Sequence, residues 1–166
     1  LPALFQKGIL PFLAHLLLKI KNSYLVTLGL KIWYQQKSSK VIYMTQRQQQ
    51  TIQRIISFEG IGLHTGSRVK GRLLPMPIDT GIQFQRVDLP GQPCIEASVT
   101  HVVATERGTV VEKDQARVAT VEHLLAAIVG MQVDNISIQL DGAEVPDIDG
   151  SALAFVALLL EAGLLQ

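Results

Sequence analysis

Glu122 and His123 are adjacent in a segment that reads as a helix, and a carboxylate beside an imidazole is a pairing that can place a general base next to a metal ligand. Neighbouring helical positions point about 100° apart, so the two side chains present two functions at one rim, not a chelating pair on one face. At the amino end of a helix the dipole and free N–H groups favour a carboxylate and disfavour a protonated imidazole. Those are the states a base and a metal ligand need. Many helices begin with Glu and carry a nearby His, so the pair by itself has little specificity.

A second unusual segment is Gly60-Ile61-Gly62-Leu63-His64-Thr65-Gly66. Three glycines around a histidine suggest a constrained loop, and two roles for it are open. It could cradle a polar substrate, although it lacks the trailing lysine of a phosphate loop. It could equally be a strand connection in which His64 bonds a neighbouring backbone carbonyl. The four histidines, His15, His64, His101 and His123, form no His-Glu-x-x-His, and Cys-x-x-Cys is absent, so no complete local zinc motif exists. Asp141, Glu144, Asp147 and Asp149 crowd one stretch without calcium-loop spacing, and Pro146 restricts it. A structural role is expected there, with Asp149-Gly150-Ser151 making a tight turn and helix cap. The single cysteine, Cys94, excludes an internal disulfide, fits a reducing compartment and reads as a small buried hydrophobe.

The elements that must position these residues are legible in outline. Strands are predicted over Thr51–Phe58, ending in a turn at Glu59-Gly60-Ile61-Gly62, then over Val69–Leu74 and Ile82–Val87. Cys94 to Ala104 supplies one or two extended segments, followed by a hairpin around Arg107-Gly108. A helix is predicted over Val121–Val129, capped by the Thr120 side chain and closed by a left-handed Gly130. Ile136, Ile138 and Leu140 alternate with polar residues as a strand with one covered face. Ser151 caps a second helix, Ala152–Ala162, with Phe155, Val156, Leu159 and Leu160 inward and Gly163 as its stop. The implied fold is α/β of the α+β type, a two-layer sandwich with a mostly antiparallel sheet on one side and two main helices on the other.

Charge divides the chain. Residues 1–43 hold six lysines and no acid, whereas residues 44–166 hold nine Arg or Lys against fourteen Asp or Glu, a formal −5. The overall net charge of +1 describes neither part and gives no reason to expect a nucleic-acid partner. Residues 1–43 are apolar, but Lys19, Lys21 and Lys31 interrupt them, so the uncharged run is short for a bilayer crossing. They read as a peripheral membrane-surface helix, a degenerate targeting segment, or extraneous upstream sequence. The third is favoured, because Met44 precedes a short polar run and the first strand, as a natural start would.

Together, Gly60 to Gly66, Thr120-Val121-Glu122-His123-Leu124, Val133-Asp134-Asn135 and Glu144-Val145-Pro146-Asp147-Ile148-Asp149-Gly150-Ser151 occur in an order and spacing that resembles the UDP-3-O-acyl-N-acetylglucosamine deacetylases, the LpxC family. The resemblance covers about residues 51–165, the first of that family's two domains. It implies that residues 44–166 are the first half of a two-domain, zinc-dependent, cytoplasmic deacetylase of lipid A biosynthesis, acting on a UDP-sugar lipid precursor. By position it implies that His123 is the first of three zinc ligands, Glu122 the general base and His64 the histidine of an active-site loop. Asp149, Gly150 and Ser151 correspond to a family element expected to be architectural. The second domain, with the remaining ligands, lies beyond Gln166 on this reading, so the zinc site is incomplete and the chain alone is expected to be inactive. A non-catalytic truncated paralogue, acting as a structural or interaction module, is the alternative.

Overall fold

The computed structural model describes residues 47–166; the readings of residues 1–43 and of Met44 lie outside the described residues. In chain order the strands are β1 (Thr51–Ile52), β2 (Ile56–Ile61), β3 (Arg68–Pro75), β4 (Ile82–Arg86), β5 (Cys94–Glu96), β6 (Val102–Ala104), β7 (Val110–Lys113) and β8 (Ala116–Val118). The helix α1 (Glu122–Gly130) follows, then β9 (Ile136–Leu140), α2 (Leu153–Ala162) and β10 (Leu164–Leu165). The fold is α+β, with two helices and mostly antiparallel pairing.

Alternation of apolar and polar residues builds the central sheet, whose order is β2-β3-β9-β4-β5. Val69 and Leu73 of β3, Ile82 and Phe84 of β4, and Ile136, Ile138 and Leu140 of β9 are buried. All neighbours in it are antiparallel except β4 and β9, which run parallel with Phe84 opposite Ile138. The helices bury Leu124, Leu125, Ala127 and Ile128 from α1, and Phe155, Leu159 and Ala162 from α2. Phe58 of β2 meets Phe155 of α2 edge to face, ring centres 5.7 Å apart. That contact depends on Gly71, which sits opposite Phe58 in the ladder. A Cβ there would lie 2.2 Å from the ring.

Several expectations require correction. The predicted strand Thr51–Phe58 is two strands, because Thr51–Ile52 pairs with β10 whereas Ile56–Ile61 pairs with β3. Gln53 and Arg54 between them donate backbone hydrogen bonds to Gly163 and Ala162 at the end of α2. The strand also runs through Gly60 and Ile61, and the reversal comes later, where Gly62 donates to Ser67 and Gly66 to Gly62. A second hairpin, β7–β8, turns through Asp114 and Gln115, both at positive φ. It lacks the Asn-Gly or Asp-Gly signature of such turns, which hides it in the sequence.

Helix boundaries shift for identifiable reasons. Thr120 does not cap α1: its φ is +56, its hydroxyl donates elsewhere, and Val121 takes the N-cap position with no side-chain bond. Gly130 is the last helical residue, and the left-handed position is Gln132, at φ +59. Ser151 Oγ does accept from the Leu153 backbone N–H, but one residue before the N-cap position, occupied by Ala152. Leu160 faces solvent at 62 % exposure, where an inward side chain was expected, and Ala162 is buried in the α2 face. Cys94 is exposed on β5, not buried, since Ile95 takes the inward position.

Candidate active site

The site forms where three separate segments meet: the loop after β2, the β6–β7 connection and the start of α1. Each is held by a specific hydrogen bond. Glu122, half-buried in the first turn of α1, accepts from the Thr109 backbone N–H through Oε2 at 2.9 Å. Its Oε1 has no hydrogen-bond partner among the described residues. His123 follows, half-buried, and its imidazole also has no partner among the described residues.

His64 lies on the exposed loop 62–66. Its ring Nε2 stands 3.0 Å from the Arg107 carbonyl oxygen. Arg107 and Thr109 flank Gly108, so one short connection touches His64 on one side and Glu122 on the other. A Cβ on Gly108 would lie 3.2 Å from Glu122 Oε1, 3.6 Å from Thr120 Oγ1 and 3.8 Å from His64 Nε2. The missing side chain keeps this space open.

Sequence reasoning does not single out Glu144, because nothing local distinguishes it from Asp141, Asp147 and Asp149. It is completely buried, and the segment around it is threaded between the end of β2 and the stretch leading into α1. Ala119 donates to Ala143 and accepts from Val145, while Asp147 donates to Ile61. The carboxylate accepts four hydrogen bonds: from His64 N at 3.0 Å and Thr120 Oγ1 at 2.8 Å on Oε1, and from Thr65 N at 2.9 Å and Thr65 Oγ1 at 2.8 Å on Oε2. Burial alone would raise its pKa. The bonds from the Thr65 hydroxyl, the His64 and Thr65 amides and the Thr120 hydroxyl together outweigh that and hold it below the ordinary glutamate value. Gly62 is required by the same approach, since a Cβ would stand 2.4 Å from Glu144 Oε2.

The other acids of that stretch do separate jobs. Asp141 accepts from Lys70 N, Asp147 from Gly150 N, and Asp149 from both the backbone and the hydroxyl of Ser151. Gly150, at φ +78, makes the turn that brings Ser151 to the start of α2. These three residues shape a turn and lie outside the hydrogen-bonded cluster around Glu144.

Among the described residues no three His, Cys, Asp or Glu side chains converge to hold a metal ion. His101 is committed to the Glu96 carbonyl oxygen at 3.0 Å and His64 to that of Arg107. The donor chemistry of His123 suits one zinc ligand, and residues 47–166 do not complete a set of three. Among the described residues no helix is long and apolar enough to cross a membrane.

The family model described as "UDP-3-O-acyl N-acetylglycosamine deacetylase", LpxC, matches residues 49–166. A protein of Myxococcus xanthus named UDP-3-O-acyl-N-acetylglucosamine deacetylase is 48 % identical over 115 residues, covering 69 % of this chain and 37 % of the relative. Proteins of the same name from Thioalkalivibrio sulfidiphilus and Marinobacter nauticus are 44 % identical over 118 residues and 47 % over 116. They cover 71 % and 70 % of this chain, and 39 % and 38 % of themselves. The chain thus spans under two fifths of the length of these curated relatives.

Proposed function

The chain belongs to the LpxC family, and from that membership we propose that it supplies one half of the active site of a zinc-dependent amidohydrolase, a deacetylase acting on UDP-3-O-acyl-N-acetylglucosamine in lipid A biosynthesis. The observation that carries this reading is the geometry of Glu122 and His123. The first has one oxygen held by Thr109 and the other open, and the second has an imidazole with no partner among the described residues.

In this proposal His123 contributes one ligand and the remaining ligands come from outside residues 47–166. A zinc ion held by His123 and those ligands would supply Lewis acidity towards the amide carbonyl and a lowered pKa for water at the site. Glu122 Oε1 receives the proton lost by the attacking water, while Oε2 stays anchored on Thr109 N so that the open oxygen keeps its aim. His64 lines the same opening, with its ring held by Arg107. The reaction takes place in the cytoplasm, where the UDP-sugar substrate would be met.

The exposed face of α2 supports the division into halves. Leu153 and Leu160, seven residues apart and so on one face, are 69 % and 62 % exposed. A second domain laid against the helices would cover them. The same face favours the second reading, an interaction module without catalysis. Zinc analysis joined to an amide-hydrolysis assay on the 166-residue chain separates the possibilities. The expected result is weak zinc retention and no ordinary turnover, with both restored in the polypeptide that also carries the remaining ligands. Tight stoichiometric zinc with ordinary turnover in the chain alone would reject the half-site. No turnover even with the remaining ligands present would favour the module.

A further inference from the structure

Four hydrogen bonds fill the accepting capacity of the buried Glu144 carboxylate, and their destinations differ. Oε2 of Glu144 is spent entirely on Thr65 and so pins loop 62–66. Oε1 is shared between two elements, His64 N of that loop and Thr120 Oγ1 of the segment leading into α1. From Thr120 the chain passes through Val121 to Glu122. Glu122 Oε2 accepts from Thr109 N, and two residues earlier the Arg107 carbonyl meets the His64 ring, on the residue whose backbone N–H began the path. The path therefore closes on itself, with Gly108 at its centre.

We propose that Glu144 is a positioning residue that holds His64 and Glu122 relative to one another through this closed circuit of hydrogen bonds and short backbone stretches, a role resting on the reading of those two residues as parts of one active site. An open chain of hydrogen bonds lets each member swing about its single anchor. A closed circuit restricts that freedom, because moving the backbone at the start of α1 away from Thr109 displaces residue 120 and so pulls on Glu144 and, through it, on His64. The charge on Glu144 matters because every partner is a donor. A glutamine of equal size would have to turn its NH2 group towards N–H or O–H donors on one side. Thr120 holds the position on the α1 side, and its positive φ aims the hydroxyl back at Glu144 instead of along the helix. Both parts of the arrangement are inaccessible to local propensity: Glu144 lies 80 residues from His64 and 24 from Thr120.

The test reads a bond that Glu144 does not touch. Amide exchange at Thr109 and the His64 ring resonances are measured by NMR in the 166-residue chain and in its Glu144→Gln, Thr120→Val and Thr120→Ser variants. The expected result is that Thr109 N–H exchanges about tenfold or more faster in Glu144→Gln and Thr120→Val, what losing one charge-assisted bond implies. The His64 ring resonances shift with it, Thr120→Ser behaves as wild type, and amides of β9 keep their protection. Unchanged Thr109 protection in the variants overturns the proposal, as does faster exchange that extends equally to β9. If Glu144→Gln does not fold, Thr120→Val decides alone, since it removes one hydroxyl and leaves the three bonds on the loop. No zinc and no substrate enter this measurement, so failure of the deacetylase reading would appear only in the turnover assay and failure of the circuit only here.

Discussion

Glu144 and Glu122 are two carboxylates on either side of the Thr120–Glu122 stretch, and they sit in opposite circumstances. Glu144 has no solvent exposure and four donors shared over both oxygens. Glu122 is half-buried and has one donor, the Thr109 amide, on one oxygen. Burial of an ionised carboxylate is tolerated when its hydrogen-bonding capacity is filled, and a filled carboxylate has nothing left to offer a reactant. An anchored but half-open one keeps its aim and retains a free acceptor. The contrast separates the residue that holds the site from the residue that would do its chemistry.

The largest expected effect breaks the chemical side of this comparison. In the polypeptide that carries the remaining ligands, Glu122→Ala lowers turnover by about 10²- to 10⁴-fold, the usual contribution of a general base, with zinc retained. His123→Ala loses the zinc itself. Equal metal content in the two variants, measured by elemental analysis, would reject this division of roles.

Breaking the holding side costs stability first. Glu144→Ala leaves four donors without their acceptor and a cavity beneath them, so unfolding in denaturant should show a loss on the order of 3 kcal/mol. Gly62→Ala forces a methyl group to 2.4 Å from Glu144 Oε2 and should cost about 1–3 kcal/mol. Gly66→Ala, whose Cβ meets nothing within 4 Å but whose φ is +65, should cost only about 1–2 kcal/mol through backbone strain. Finding Gly66→Ala the worse of the two would mean that the carboxylate's approach does not dictate glycine at 62.

pH sharpens the same contrast. Because the folded-state pKa of Glu144 is depressed, its contribution is fully present above the unfolded value and is lost as pH falls through the folded one. Stability should therefore decline below about pH 4, and Glu144→Gln should decline less steeply over that window. An identical slope in both proteins would show that Glu144 is not the group responsible. The smallest effect belongs to a surface pair outside the cluster. Arg68 and Glu59 meet at 2.7 Å with both side chains at least half exposed, so Arg68→Ala should change stability by about 0.5 kcal/mol or less.

How much of this was legible in the sequence differs by element. The strand Ile136–Leu140 and the core of α1 were readable, because two-residue and helical apolar periods are local properties. The parallel partnership of β4 with β9 was not, since nothing within either strand specifies a neighbour some fifty residues away. Thr120 shows the limit most clearly. Its type and place before a helix match a cap, and only the arrival of Glu144 beside it turns the hydroxyl to a different acceptor. Cys94 and Leu160 failed for a related reason: side-chain type states a preference for burial, and strand parity or helix phase decides whether it is met.

Sequence alone determined the ordered segments that identify the family and put forward Glu122, His123 and His64 as candidate chemical groups, because residue type and spacing are written along the chain. Tertiary structure alone decided which oxygen of Glu122 stays open, which carbonyl holds His64 and which acid among four is the anchor. Those outcomes depend on hydrogen bonds between residues distant in sequence, and such bonds exist only after the sheet has brought three segments to one place.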